Sequence, residues 1–291
     1  MIFTDYLFLV FLFVLLVLYY LSPIKLRWIV LLLANVLFFC TWGIEMFPFV
    51  LITVLIVWLA TNAMERYYAS EDGNSVEVRK KCKKILLVVV FALVFGVVYT
   101  KTQRMLAELP VLSYIVTVGS TIYEGISNFF LKIPGINKFV EYVENTEATS
   151  SFSFFTPIGI SYYTFSLVGY VADVYWKKEK AEKNIFKLLN FTLYFPKLLQ
   201  GPISKHRVIA EQMNVGTQFD YTQVCYGLQR ILWGYFKKLV IADRVLAAIN
   251  IMVEAPEEFV GVYVFLLIIL LKHYVAIDFY RDICYNKYIL F

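Results

Sequence analysis

The sequence predicts an all-α, polytopic membrane protein, and three observations carry that prediction. Of its 291 residues, 60% are hydrophobic and only 17% charged, against roughly 45–50% and about 25% in soluble domains. Its 26 Phe and 22 Tyr exceed what interfacial belts need, which places many of them inside a helical bundle. The basic residues behind the net charge of +5 cluster in short runs beside apolar segments. Such runs mark positive-inside links, so the expected partner is the lipid bilayer and not nucleic acid.

Residues 5–21 form the first span, which Pro23 ends. No basic region precedes this segment and no small-residue cleavage site follows it, so it reads as a retained span and not a signal peptide. Lys25 and Arg27 then place the first link in the cytoplasm and the N-terminus outside. Trp28 to Trp42 makes a second span, short for the roughly 20 residues that a bilayer requires. Phe47 to Met64 supplies a third after the uncharged link at Gly43 to Met46. The loop from Glu65 to Lys84 carries Arg66, Arg79, Lys80, Lys81, Lys83 and Lys84 and is cytoplasmic by the same rule, and Ile85 to Thr100 is the fourth span. Residues 101–150 are less hydrophobic and read as an external or interfacial insert within one membrane domain that covers residues 1–291.

The stretch Ser151 to Gln212 is apolar, yet Pro157, Gly159, Gly169, Asp173, Pro196, Gly201 and Pro202 punctuate it. Helix breakers and carboxylates are costly in hydrocarbon and persist where protein or a water-filled cavity receives them, so a functional cavity is expected here. Thr156-Pro157 starts a helix and Ile158 to Tyr175 is the fifth span. Gly159, Ser161, Ser166 and Gly169 would allow close helix approach along it. Asp173 is expected to pair with a neighbouring lysine. Asn184 to Leu199 is too interrupted to cross the bilayer and reads as a re-entrant or interfacial element that stops at Gln200-Gly201-Pro202.

After the polar link at 204–220, Tyr221, Cys225, Leu228, Leu232, Tyr235, Leu239 and Ala242 recur at helical spacing and predict one helix to Asn250. Lys237 and Lys238 lie deep in it, so the helix sits partly in the interface or snorkels them outward. Pro256 separates it from a last apolar run, Phe259 to Leu271.

The four cysteines are scattered, with neither metal-ligand spacing nor a disulfide pattern, and no metal site is expected. No phosphate-cradling glycine loop, zinc-protease motif or nucleophile elbow occurs. The two histidines, His206 and His273, have no carboxylate or hydroxyl in a local motif, and His206, between Lys205 and Arg207, reads as exposed. The architecture alone fits an integral-membrane transferase or a transporter of a small molecule or lipid-linked sugar equally well, although no inverted repeat is visible.

One set of residues resembles the signature region of the membrane-bound O-acyltransferase (MBOAT) family, in particular its bacterial branch of alginate O-acetyltransferases and teichoic acid D-alanyl transferases. The set comprises Pro157 to Ser161, Tyr163-Thr164-Phe165, Asp173-Val174-Tyr175, Asn184, Phe195-Pro196 and Gln200-Gly201-Pro202-Ile203. The flanks are similar too, from Phe3 through Trp42-Gly43 and from Gly227-Leu228 through Asp243-Arg244, so the resemblance spans about residues 3–270. It implies an MBOAT-type helical bundle in the bacterial plasma membrane. It also implies transfer of an acyl group, expected to be acetyl, to hydroxyls of a cell-envelope or exported polysaccharide.

The same resemblance implies no bound cofactor but a donor of the acyl-CoA or acyl carrier protein type, and an acyl carrier or extracytoplasmic transferase as partner. Gln200, Gly201, Pro202 and Ile203 would shape the cytoplasmic mouth of a tunnel. Lys205, His206 and Arg207 would be available there to donor phosphates or an acidic carrier, or would anchor the turn among lipid headgroups. The family's catalytic histidine is expected beyond Phe291. On that reading the chain is the N-terminal part of a longer acyltransferase, and alone it is inactive or serves as a catalytically silent interaction partner.

Overall fold

Hydropathy places the helices, and side-chain caps and breakers set their ends. The computed structural model describes residues 6–42, 46–70, 75–107, 159–198, 205–216 and 219–245, together with 270, 271, 273–275 and 278. In order these residues form α1 (Tyr6–Leu21), a 3₁₀ turn (Ile24–Leu26), α2 (Arg27–Cys40), α3 (Phe47–Ala69) and α4 (Val76–Ala107). Then follow α5 (Ile160–Tyr175), α6 (Ile185–Thr192), the short α7 (Phe195–Leu198), α8 (His206–Val215) and α9 (Tyr221–Phe236), which runs on as a π-helix (Lys237–Ala242). No strand occurs among the described residues. The structure is all-α, as the sequence predicts.

Among the described residues two helices are long and apolar enough to cross a membrane, α3 and the Val76–Thr102 part of α4. Their outward faces are apolar: Phe91 is 72% exposed and stacks on Phe95, which stacks in turn on Tyr99. In α1 only Phe8, Leu15 and Tyr19 are buried, while Leu9, Val10, Phe13, Val14 and Leu18 face outward. Apolar residues on an outward face are costly in water and at home in hydrocarbon.

The described chain divides into two compact units, each made of separated segments. The larger comprises Leu32–Phe195 with Ser204–Ala210. Its centre is a bundle in which α3, α4 and α5 pack on one another and α6 packs on α3 and α5. Gly96 on α4 faces Phe49 on α3, where an added Cβ would lie 3.7 Å from the ring. Deep in this unit the Asn35 amide, fully buried, donates to Asn190 Oδ1 at 2.6 Å and accepts from the Phe195 N–H at 2.9 Å. That bond satisfies the backbone where the chain breaks between α6 and α7, which is how a helix break is sustained away from water.

The smaller unit comprises Met1–Leu31, Pro196–Ile203 and Glu211–Phe291. Here Arg27 is only 7% exposed. Its Nε donates to Ser22 O at 3.1 Å, and its guanidinium sits over the rings of Tyr19 and Tyr20, at 5.1 and 5.5 Å. A residue that reads as a topology marker thus serves also as a cap for the carbonyl end of α1. Asp220 caps α9, its carboxylate accepting from Thr222 N at 2.8 Å. Lys237 pairs with Asp278 and Lys238 with Asp243. The two lysines are therefore held by carboxylates rather than snorkelling, and the π turn that begins at Lys237 marks where the helix departs from regular geometry.

Several boundaries differ from the sequence reading. The basic run Arg79–Lys84 is not loop but the first turns of α4, because Arg and Lys are good helix formers and Ser75 Oγ caps the start by accepting from Val78 N at 3.3 Å. Gly169 is exposed, with nothing within 4 Å of an added Cβ, so it is not a point of close helix approach. Asp173 makes no ion pair among the described residues. Its neighbouring lysines turn to aromatic rings instead, Lys177 to Tyr68 at 4.4 Å and Lys178 to Trp176 at 4.8 Å. Beyond Ala107, the expected insert lies outside the described residues, as does Thr156-Pro157.

Candidate functional site

The end of α5, the turn that follows it and the start of α8 build a buried polar cluster in the larger unit. α5 closes in a two-bond C-terminal motif: Lys178 N–H donates to Asp173 O at 2.9 Å and Lys177 N–H to Val174 O at 3.0 Å. Lys177 takes φ 57°, the left-handed position that glycine usually fills in this motif. The turn at 176–184 is then tied down by side chains of two helices. From α3, Trp58 Nε1–H donates to Lys183 O at 3.1 Å and Asn62 Nδ2–H to Glu182 O at 3.3 Å. The Tyr68 hydroxyl donates to Tyr175 O at 2.9 Å. From α5, the Tyr170 hydroxyl accepts from Glu182 N–H at 2.7 Å. Asn184 ends the turn by capping α6, its Oδ1 accepting from Phe186 N–H at 2.9 Å.

This bracing holds Glu179 against the first residue of α8. His206 is 3% exposed. Its Nδ1 pairs with Glu179 Oε1, and its ring is clasped between Tyr170, centroid to centroid 4.5 Å, and Phe191, 4.7 Å and edge-on. The second nitrogen, Nε2, is buried with no hydrogen-bond partner, as are Glu179 Oε2 and the Tyr163 hydroxyl. A carboxylate on one ring nitrogen fixes the imidazole's orientation.

The expectation that His206 is exposed is therefore corrected. Successive helical residues point about 100° apart, so Lys205 and Arg207 are exposed on either side while His206 turns inward. Its carboxylate comes from 27 positions earlier, too far for a local motif to announce it. Of the seven candidate residues, Lys205, His206 and Arg207 are thus placed, one inside and two at the surface. Gln200, Gly201, Pro202 and Ile203 lie outside the described residues. Among the described residues no group of three or more His, Cys, Asp or Glu is positioned to hold a metal ion. The interrupted segment 184–199 is the expected re-entrant or interfacial element. Every described residue from Leu188 to Leu198 is buried in protein.

Helices with lipid-compatible faces and a helix break satisfied by buried amides define a helical membrane protein. The relatives sharpen this class. The chain is 29% identical over 229 residues to a probable alginate O-acetylase of Azotobacter vinelandii, a match covering 78% of this chain and 38% of that protein. It is 30% identical over 86 residues to a teichoic acid D-alanyltransferase of Bacillus subtilis, covering 29% of this chain and 22% of the relative. It is also 29% identical over 114 residues to a peptidoglycan O-acetyltransferase of Helicobacter pylori, covering 30% and 22%. All three are named for O-acetylation or D-alanyl transfer, so the resemblance read from the sequence is borne out. The chain spans about two fifths of the length of the first of them. No family profile matches the chain.

Proposed function

We propose that this chain serves O-acyl transfer to hydroxyls of a cell-envelope or exported polysaccharide, with acetyl as the acyl group. The observation that carries this reading is the 229-residue similarity to an alginate O-acetylase. The shorter similarities to proteins named for teichoic acid and peptidoglycan support it. Those three acceptors differ, whereas acyl transfer to an envelope polymer is common to all. On this reading the donor is of the acyl-CoA or acyl carrier protein type. Lys205 and Arg207, both exposed beside the segment 199–204, would meet its phosphates or the acidic face of a carrier. The inward His206 would instead hold α8 to the turn at 176–184.

The positions of Lys25 and of the run Arg79–Lys84 support a multi-pass orientation in the bacterial plasma membrane with the N-terminus outside. The acceptor polysaccharide, and an extracytoplasmic transferase partner, would then be met on the outer face.

Deleting the gene at its native locus and measuring alkali-released acetate from purified envelope polysaccharide tests the proposal. Loss of ester, restored by complementation, is the expected result. Unchanged ester with loss of uptake or export of a small solute would overturn it in favour of transport.

A further inference from the structure

The C-terminal half of α3 carries a groove to which the proposed function assigns no ligand. Trp58, Leu59, Asn62, Ala63, Arg66 and Tyr67 line an open groove of about 530 Å³. Positions 58, 59, 62, 63 and 66 share one face of the helix by their three- and four-residue spacing. Two of the liners are walls, since their polar atoms are already engaged. The Trp58 indole N–H donates to Lys183 O, and Asn62 Nδ2 donates to Trp58 O at 2.8 Å and to Glu182 O at 3.3 Å.

Arg66 differs from them. It is exposed, and no carboxylate lies within ion-pair distance of it among the described residues, although Glu65 is its chain neighbour and the Glu182 backbone borders the groove. Tyr67 stands beside it, 42% exposed. The groove therefore grades from an apolar floor at Leu59 and Ala63, within a membrane-capable helix, to a cationic end in that helix's last turn.

A ligand complementary to this gradient has an apolar chain at one end and a phosphate at the other. We infer that the groove binds one anionic phospholipid, its phosphate on the Arg66 guanidinium and an acyl chain over Leu59 and Ala63. A guanidinium fork matches a phosphate with two parallel hydrogen bonds. Trp and Tyr are at home at headgroup depth, where a ring can face the chain and its polar edge the water. A zwitterionic lipid presents the same phosphate beside its own ammonium, which cancels most of the attraction to Arg66. The site thus selects net negative charge.

Native mass spectrometry of the purified full chain, titrated with phosphatidylglycerol or phosphatidylcholine, tests the inference. Arg66→Gln is expected to weaken phosphatidylglycerol binding about fivefold, equivalent to roughly 1 kcal/mol for one basic residue at an anionic surface. Arg66→Lys is expected to retain most of the affinity, and Ala63→Phe, which fills the floor and keeps the charge, to lose it. Equal phosphatidylglycerol binding by wild type and Arg66→Gln would overturn the inference, as would unchanged binding by Ala63→Phe. Displacement of the lipid by an equal concentration of glycerol phosphate would overturn it too, because the site would then be one for a free anion.

Discussion

Replacing His206 by Ala removes an imidazole that sits 4.5 and 4.7 Å from the Tyr170 and Phe191 rings and leaves Glu179 facing an apolar gap. Deleting the partner of a buried carboxylate costs about 3–5 kcal/mol, because the charge left behind stays desolvated. The Glu179 side chain retains 14% exposure, which puts the cost near the lower end, about 3 kcal/mol. At about 2–4 °C per kcal/mol this predicts a fall in Tm of roughly 6–12 °C. A thiol-reactive dye reads the transition as a rise above the signal of the part-exposed Cys225, since Cys40 and Cys82 are buried and react on unfolding.

His206→Phe keeps an aromatic ring but still strands the carboxylate, so it should also destabilise. The double substitution His206→Phe with Glu179→Leu should recover most of the loss, because a whole buried pair exchanged for apolar groups is nearly neutral. A Tm for His206→Ala within about 1 °C of wild type would refute the account of the cluster. So would a double variant no more stable than the single ones.

Two other substitutions probe the joints of the fold. Asn35→Leu keeps the branched side-chain shape but removes the donor to Asn190 Oδ1 and the acceptor of the Phe195 N–H; a loss of about 2–6 kcal/mol follows at roughly 1–3 kcal/mol for each of the two bonds, and an unshifted thermal transition would contradict it. Gly216→Ala places a Cβ 3.2 Å from Ile24 Cγ2 and 3.3 Å from Ile24 O on a backbone with φ +66°. It should cost at least the 1–2 kcal/mol or so of a left-handed non-glycine residue, read by the same dye.

Hydropathy made the helices legible, and local chemistry located some of their ends. The predicted spans 5–21 and 47–64 correspond to α1 and to most of α3, because an apolar run of that length has few alternatives to a helix. The start of α4 was less legible, since a run of lysines reads both as a loop charge cluster and as good helix-forming sequence, and only the cap at Ser75 favours the second. The site was the least legible part. The sequence singles out Lys205, His206 and Arg207, but the inward turn of His206 depends on Glu179 in a turn that Trp58, Asn62 and Tyr170 brace from two helices. Asn35 likewise looks like a stray polar residue in an apolar run until its partner Asn190, 155 positions away, is brought to it. Pairs of this kind are specified by tertiary structure, and no local period encodes them.

The proposed acyl transfer is tested most directly by supplying radiolabelled acetyl-CoA to membranes from cells that carry the native locus, from a deletion strain and from the complemented strain, each with its own envelope polysaccharide as acceptor. Alkali-labile label is expected in the polymer with the native and complemented membranes, and its loss in the deletion. Equal polymer labelling in all three would contradict it.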